Sequence, residues 1–159
     1  MHKLMFVCHG NICRSPMAEF VMKKMVSDAG KEKDYSISSC ATSTEEIWGG
    51  IGNPIHPEAK SEMRKHGIPF SERRAVLLRK EDYSRFDLFI GMDERNRRGM
   101  MRIFGSDPEK KVVLLTDYSF PGHEVDDPWY SGDFSAAFAD IEAGCRGLLK
   151  RFAGQTEKV

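Results

Sequence analysis

The segment Cys8-His9-Gly10-Asn11-Ile12-Cys13-Arg14-Ser15 lies between two stretches that predict different secondary structures. The apolar run before it, Lys3-Leu4-Met5-Phe6-Val7, predicts a strand that stops at Cys8. After it, Ser15-Pro16 predicts the start of a helix, because proline has a fixed φ and lacks an N–H group. Apolar residues then recur at helical spacing, at Met17, Ala18, Val21, Met22 and Met25.

The loop between this strand and this helix has the features of an anion-binding site. Gly10 and Asn11 tolerate left-handed backbone conformations, which let several N–H groups converge on one point. The N-terminus of the helix adds partial positive charge. We therefore call residues 8–15 the phosphate loop, and predict that it binds phosphate through His9, Gly10, Asn11, Ile12, Cys13 and Ser15.

Cys8 and Arg14 are the candidate catalytic residues of the phosphate loop. Helix N-termini and nearby cations favour the thiolate, so we expect Cys8 to ionise more readily than a free thiol. The planar guanidinium of Arg14 matches two phosphate oxygens, and Ser15 is placed to donate its hydroxyl to the sulfur. A Cys-x5-Arg spacing alone is weak evidence. Its place between a strand and a helix favours thiolate attack on a phosphate monoester over a buried cysteine beside a surface arginine.

A candidate general acid lies in Val125-Asp126-Asp127-Pro128-Trp129-Tyr130. Expulsion of an alkoxide or aryloxide needs a proton, which a positioned carboxylic acid supplies. We predict Asp127 and not Asp126, because a residue before proline is biased toward an extended conformation that frees its side chain. Trp129 and Tyr130 are predicted to wall the cleft. An ordinary Asp-Pro turn is the alternative, and it is set aside only because the phosphate loop requires an acid.

Eight segments match one known family: Phe6-Val7-Cys8 through Arg14-Ser15-Pro16-Met17-Ala18-Glu19, Ser39-Cys40-Ala41-Thr42-Ser43, Gly52-Asn53-Pro54, Lys65-His66-Gly67-Ile68, Lys80-Glu81-Asp82-Tyr83, Phe86-Asp87, Met92-Asp93-Glu94-Arg95-Asn96 and Asp127-Pro128-Trp129-Tyr130. Through them the sequence resembles the low molecular weight protein tyrosine phosphatases. The resemblance implies a two-step reaction without metal or cofactor. Cys8 would attack phosphorus to form a phosphocysteine, and Asp127 would protonate the leaving phenolate and later deprotonate the attacking water.

The resemblance also implies supporting roles. Asn11 would hold the phosphate loop in a strained conformation through hydrogen bonds to Ser39. Asp93 would buttress the loop and its arginine. Cys13 would form a reversible disulfide with Cys8, which would protect the nucleophile from irreversible oxidation.

Two positions depart from the family pattern. Arg73 stands where the family usually has a histidine that feeds the network around Asn11, so the support of that residue is expected to differ. The segment 44–51 is also longer than usual. Within it, Trp48 is either a wall of the cleft or a partly buried anchor for a glycine-rich loop.

The remaining sequence predicts one domain, residues 1–159, with no linker or repeat to divide it. Strand candidates at Tyr35–Cys40, Leu88–Met92 and Val112–Thr116 alternate with helices. This pattern predicts a three-layer α/β fold with a four-stranded parallel sheet and helices on both faces. The resemblance names it as a Rossmann-like fold of the phosphotyrosine protein phosphatase I type. A last helix, capped by Asp133, should bury the stripe of Phe134, Phe138, Ile141, Cys145, Leu148 and Phe152.

Charge argues against several classes of partner. The chain has 24 basic and 24 acidic residues, so neither nucleic acid nor a membrane surface is an expected partner. The histidines are scattered and do not form a metal-ligand set. With no signal peptide or long apolar run, we expect a cytoplasmic monomer whose partners are phosphotyrosine proteins or aryl phosphates.

Three alternatives are open to the same sequence. Arsenate reductases share the fold, but they use two further cysteines, and none lies between Cys40 and Cys145. Protein arginine phosphatases have threonine where this chain has Ile12, whose methyl groups favour a flat aromatic ring over a guanidinium. A phosphoprotein-binding module would be expected to lack Cys8, Arg14 or Asp127.

Overall fold

The central sheet consists of four parallel strands, which comprise His2–Cys8 (β1), Tyr35–Ala41 (β2), Leu88–Gly91 (β5) and Val112–Leu114 (β6). Their order across the sheet is β2-β1-β5-β6. A separate antiparallel hairpin contains Ile47–Trp48 (β3) and Ile51–Gly52 (β4). The structure is a computed structural model, and it describes residues 1–156.

Helices flank the sheet. The α-helices of the described chain are Arg14–Asp28 (α1), Pro57–Lys65 (α2), Glu94–Phe104 (α3), Pro128–Ser131 (α4) and Phe134–Thr156 (α5). Short 3-10 helices comprise Glu32–Asp34, Lys80–Ser84 and Leu115–Tyr118. Within residues 1–156, no helix combines the length and the apolar character that crossing a membrane requires.

Alternation along β1 divides the core into two layers. Leu4 and Phe6 belong to the larger cluster, which includes buried side chains of α1 and α5. Met5 and Val7 point to the opposite face, where they join buried side chains of β5, β6 and α3. Since strands with both faces covered are typical of parallel sheets, the predicted three-layer α/β fold is confirmed.

The connections place a strand-order reversal beside β1. The chain passes from β1 through α1 to β2 on one side, and it later enters β5 on the other side of β1. Ligands of open α/β sheets bind outside the carboxyl ends of the strands at such a reversal. Cys8, the last residue of β1, lies at this point.

The element boundaries differ from the predicted ones by a few residues. The fourth strand ends at Leu114 and not at Thr116, because residues 115–118 form a 3-10 helix whose Asp117 carboxylate accepts the Leu114 N–H. The third ends at Gly91, and α1 begins at Arg14. The apolar stripe predicted for α5 is buried, and the Asp133 carboxylate accepts the Ala136 N–H at its start, as predicted for a cap.

Candidate active site

The phosphate loop joins β1 to α1 with its cysteine buried beneath it. Asn11 has a φ of 60°, a left-handed conformation that is uncommon outside glycine. Its backbone N–H donates to Sγ of Cys8 over 3.2 Å, and Oγ of Ser15 lies 3.0 Å from the same sulfur. The side chain of Cys13, the residue before α1, makes no capping hydrogen bond. The first N–H groups of α1 are therefore available to an anion.

Gly10 serves the loop by its size and not by its backbone conformation. It is absent from the glycines with positive φ, so of the two residues expected to tolerate a left-handed conformation only Asn11 adopts one. A Cβ atom built at this position would lie 3.0 Å from Cγ of Glu46, whose side chain covers the loop. Glycine therefore permits this close approach.

Arg14 is buried and fixed from two sides. Its Nη1 donates to Oδ2 of Asp93 over 2.7 Å and to the carbonyl of Val125 over 2.8 Å. Burial by itself lowers the pKa of Arg14, but the charges of Cys8, Asp93 and Asp127 outweigh it and raise that pKa. The guanidinium is therefore a permanent positive charge beside the sulfur.

Asp93 is held as firmly as the arginine it contacts. It caps α3, because its Oδ1 accepts the Asn96 N–H over 2.8 Å. Oδ1 of the buried Asn96 in turn accepts the N–H groups of Met92 and Asp93, over 2.9 and 3.2 Å. Asn96 was not predicted as a site residue, although a polar residue three positions after an aspartate is typical of a helix cap.

A buried hydrogen-bond network fixes the side chain of Asn11. Its Nδ2 donates to Ser15 over 2.8 Å and to Ser39 over 3.0 Å. Its Oδ1 accepts from Nη2 of Arg73 over 2.8 Å and from the Val76 N–H over 3.1 Å. The four bonds use the full capacity of the amide, so its orientation is determined.

Arg73 itself is fixed by an ion pair. Its Nη1 lies 2.5 Å from Oε1 of Glu19 and 2.5 Å from Oγ of Ser39. Ser39 donates to the same Glu19 oxygen over 2.6 Å. Glu19, which is 4% exposed, was not predicted as a site residue. The clue in the sequence was that Glu19 is an acidic residue between apolar residues of α1.

The candidate acid lies at the start of α4. The Asp127 carboxylate accepts the Trp129 N–H over 3.0 Å, and its Oδ2 is 3.6 Å from Nη2 of Arg14. Val125, two residues before Asp127, is buried, and its N–H donates to the carbonyl of Met92 over 3.0 Å. Asp126 is exposed. The structure thus brings Asp127, and not Asp126, to the arginine.

Cys8, Arg14 and Asp127 line one cleft of about 110 Å³. Its walls include the exposed rings of Trp129 and Tyr130, and Ile12 is among its apolar residues. His9 lies at the rim, where its Nε2 is 2.9 Å from Glu45 and 3.4 Å from Arg95. Glu45 and Glu46 also line the cleft, and the sequence did not single them out.

Trp48 is not a wall of this cleft. Gly49 and Gly50, with φ of 57° and 81°, form the turn of a hairpin in which Trp48 pairs with Ile51. The indole is 73% exposed and is not among the cleft residues, so neither of the two roles considered for it is observed. The glycine pair, a strong hairpin signal, was the clue to this arrangement.

Two further properties complete the site. Burial raises the pKa of the Cys13 thiol well above its ordinary value, and the charge of Cys8 adds to the shift. Both cysteines are free thiols. Among residues 1–156, no group of three or more His, Cys, Asp or Glu side chains is arranged to hold a metal ion.

Comparisons with known proteins agree on one family. The profile described as "Low molecular weight phosphotyrosine protein phosphatase" matches residues 3–158. The human protein of that name is 37% identical over 154 residues, covering 93% of this chain and 94% of its own. YfkJ from Bacillus subtilis, named as a low molecular weight protein-tyrosine-phosphatase, is 33% identical over 153 residues, covering 94% of each chain.

Solved structures show the same likeness. The crystal structure of YfkJ superposes with a TM-score of 0.88 at 32% identity, covering 100% of this chain and 98% of that one. A low molecular weight protein tyrosine phosphatase from Streptococcus pyogenes gives a TM-score of 0.83 at 36% identity, covering 95% and 93%. Fold, site and sequence therefore agree, and the chain belongs to the low molecular weight phosphotyrosine protein phosphatase family.

Proposed function

We propose that this protein hydrolyses phosphotyrosine in proteins, and small aryl phosphates, through a phosphocysteine intermediate. The observation that carries the proposal is the convergence of Cys8, Arg14 and Asp127 on one cleft. A nucleophile, a bidentate phosphate ligand and a proton donor are the groups that phosphate monoester hydrolysis requires.

In the first step, Sγ of Cys8 attacks phosphorus and the bond to the phenolic oxygen breaks. The backbone N–H groups of the phosphate loop and Arg14 hold the phosphoryl oxygens, whose charge rises in the transition state. Protonated Asp127 gives its proton to the departing phenolate, so tyrosine leaves as a neutral phenol.

In the second step, water attacks the phosphocysteine. Asp127, now a carboxylate, accepts a proton from this water as the S–P bond breaks, and inorganic phosphate is released. Sγ returns to the thiolate, which the Asn11 N–H and the Ser15 hydroxyl stabilise. The enzyme is thereby restored without any other reactant.

The proposal extends to the form in which the protein works. We propose a single-domain monomer in the cytoplasm. The family profile, which spans residues 3–158, supports one domain. Free thiols at Cys8, Cys13, Cys40 and Cys145 suit a reducing compartment. Size-exclusion chromatography with light scattering tests the monomer, and a mass near twice 18.1 kDa would contradict it.

The activity is tested with a phosphotyrosine peptide and a phosphoarginine peptide side by side, without added metal. The wild type should hydrolyse phosphotyrosine only, and Cys8→Ser should hydrolyse neither. A preference for phosphoarginine would show that Ile12 does not select an aromatic ring. Binding of the phosphotyrosine peptide without turnover would identify a phosphoprotein-binding module instead.

A further inference from the structure

A second, larger concavity lies on the face of the sheet opposite α1 and α5. Lys3 and Met5 of β1 and Ser36 and Ser38 of β2 line it, with Lys3 beside Ser36 and Met5 beside Ser38 in the strand register. Its other lining residues are Ser39 and Cys40 of β2, Ile47 and Gly50 of the hairpin, and residues of the segments 73–79 and 82–86. Its volume is about 840 Å³. We call this concavity the basic groove.

The basic groove has more positive than negative side chains. Lys3, Arg73, Arg79 and Arg85 line it against one carboxylate, that of Asp82. Asp82 is already engaged, because its Oδ2 accepts the Arg79 N–H over 2.9 Å. The chain as a whole has a formal net charge of zero, so this excess of positive charge is local.

Three of these cations have no acidic partner. Arg73 is paired with Glu19, but no ion pair in the described part of the chain involves Lys3, Arg79 or Arg85. All three side chains are exposed. Their donors are therefore available to an anion.

Polar and apolar groups accompany the charges. The half-buried hydroxyls of Ser36 and Ser38 make no hydrogen bond within residues 1–156. Serines at these two positions are unexpected in a core layer, because Cys40, the next residue on the same face of β2, is buried and apolar. Phe86 and Leu77 supply partly exposed apolar surface at the sides of the groove.

We propose that the basic groove binds a small organic molecule that carries two or more phosphate groups. Lys3, Arg79 and Arg85 contact the phosphate oxygens, and Ser36 and Ser38 donate their hydroxyls. Phe86 and Leu77 contact the carbon skeleton. The groove and the catalytic cleft have no lining residue in common.

Binding is tested with inositol hexakisphosphate, which carries six phosphate groups on one carbon ring. It is titrated into full-length Cys8→Ser protein, which excludes turnover, while backbone amide signals are followed by NMR. The amides of Ser36, Ser38 and Leu77 should shift and saturate together. Shifts confined to residues 8–15 would place the probe in the catalytic cleft and overturn the proposal.

Two double variants distinguish binding in the basic groove from non-specific attraction of the probe to positive charge. Arg79→Gln/Arg85→Gln removes two groove charges, and we expect Kd to rise about tenfold, since the loss of each exposed ion pair weakens binding by up to about fivefold. Arg98→Gln/Lys150→Gln removes the same charge from exposed positions outside the groove and should leave Kd unchanged. Equal weakening in both would overturn the proposal. Phosphotyrosine turnover is measured separately, with the charge variants in an otherwise wild-type chain. A failure of the proposed catalytic function can thus be distinguished from a failure of the groove to bind the probe.

Discussion

The guanidinium of Arg73 donates to the side-chain oxygen of Asn11 over 2.8 Å, which links an exposed loop to the strained residue of the phosphate loop. Family resemblance places a histidine at this position. Arginine is charged at all accessible pH values, whereas histidine titrates near neutrality. The contacts of Arg73 with Glu19 and Ser39 therefore persist across the physiological pH range.

Replacing Arg73 with alanine should lower kcat on an aryl phosphate about tenfold or more. The reason is that a catalytic group displaced by about 1 Å can lower the rate about a hundredfold. Glu19 would lose its cationic partner, and Oδ1 of Asn11 would lose one of two donors. Steady-state kinetics measure the change. We expect KM to change less than kcat, because the phosphate loop of the variant still binds substrate but stabilises the transition state less well.

Arg73→His distinguishes a positioning role from a purely structural one. The imidazole can replace the ion pair with Glu19 only when protonated. We expect kcat of this variant to be partly restored at acidic pH and to fall as pH rises through the pKa of the new histidine. The measurement is the ratio of variant to wild-type kcat across pH 5–8. A ratio independent of pH would argue against this role.

The two adjacent aspartates should differ in kinetics. Asp127→Asn should lower kcat by about a hundredfold or more, because the amide cannot donate a proton as an acid does. Asparagine retains the cap of α4, so the fold should be preserved. Asp126→Asn, the matched control, should retain near-normal kcat because this side chain is exposed and outside the cleft. Equal losses in the two variants would reject Asp127 as the acid.

The phosphate loop was predictable because its signals are local. A strand ends at Cys8, proline follows Ser15, and Cys8 and Arg14 are close in sequence, so adjacent residues determine their relative positions. The acid was predictable for a different reason, since a proline biases the residue before it.

The rest of the site depends on contacts between distant segments, which leave no periodic pattern in a single sequence. Arg73 reaches Glu19 across 54 positions, and Glu46 covers Gly10 although nothing near either residue indicates the contact. The lengthened segment 44–51 illustrates the same limit. Its greater length than in the family was evident from the sequence. Only the pairing of the hairpin strands, however, determines that Trp48 is exposed to solvent.

The pair formed by His123 and Asp140 should make the free energy of unfolding depend on pH. Nε2 of His123 lies 2.9 Å from Oδ2 of Asp140 on α5, and the Thr116 hydroxyl donates to the His123 carbonyl. The hydrogen bond to Asp140 is the main cause that raises the pKa of His123; the charge of Asp140 also acts, with smaller contributions from Asp126 and Glu124. The pair thereby fastens the acid-bearing loop to α5.

The sign of this effect follows from the raised pKa. Protonated His123 stabilises the fold fully at pH below its unfolded pKa, about 6.5, and the gain is lost as pH rises through the higher folded pKa. The free energy of unfolding of wild type minus that of His123→Asn should therefore be larger at pH 5.5 than at pH 9. Urea unfolding at the two pH values measures it. Asp140→Asn should remove the same difference, and a difference that grows with pH would contradict the prediction.

The acidic rim of the cleft should select against acidic residues around the phosphotyrosine. Glu45 and Glu46 line the cleft, and the Glu45 side chain is 67% exposed, so its charge faces an incoming peptide. We expect the wild type to have a higher kcat/KM for a peptide with lysines beside the phosphotyrosine than for one with glutamates. Glu45→Gln should reduce this ratio about two- to fivefold, the range of one exposed ion pair.

Lysine-flanked and glutamate-flanked peptides are compared at low and high salt, because screening should diminish the preference. Glu109→Gln, an exposed glutamate on the loop before β6, is the matched control. A preference for the glutamate-flanked peptide would mean that Arg95, beside His9, and not the glutamates, determines the charge that the substrate meets.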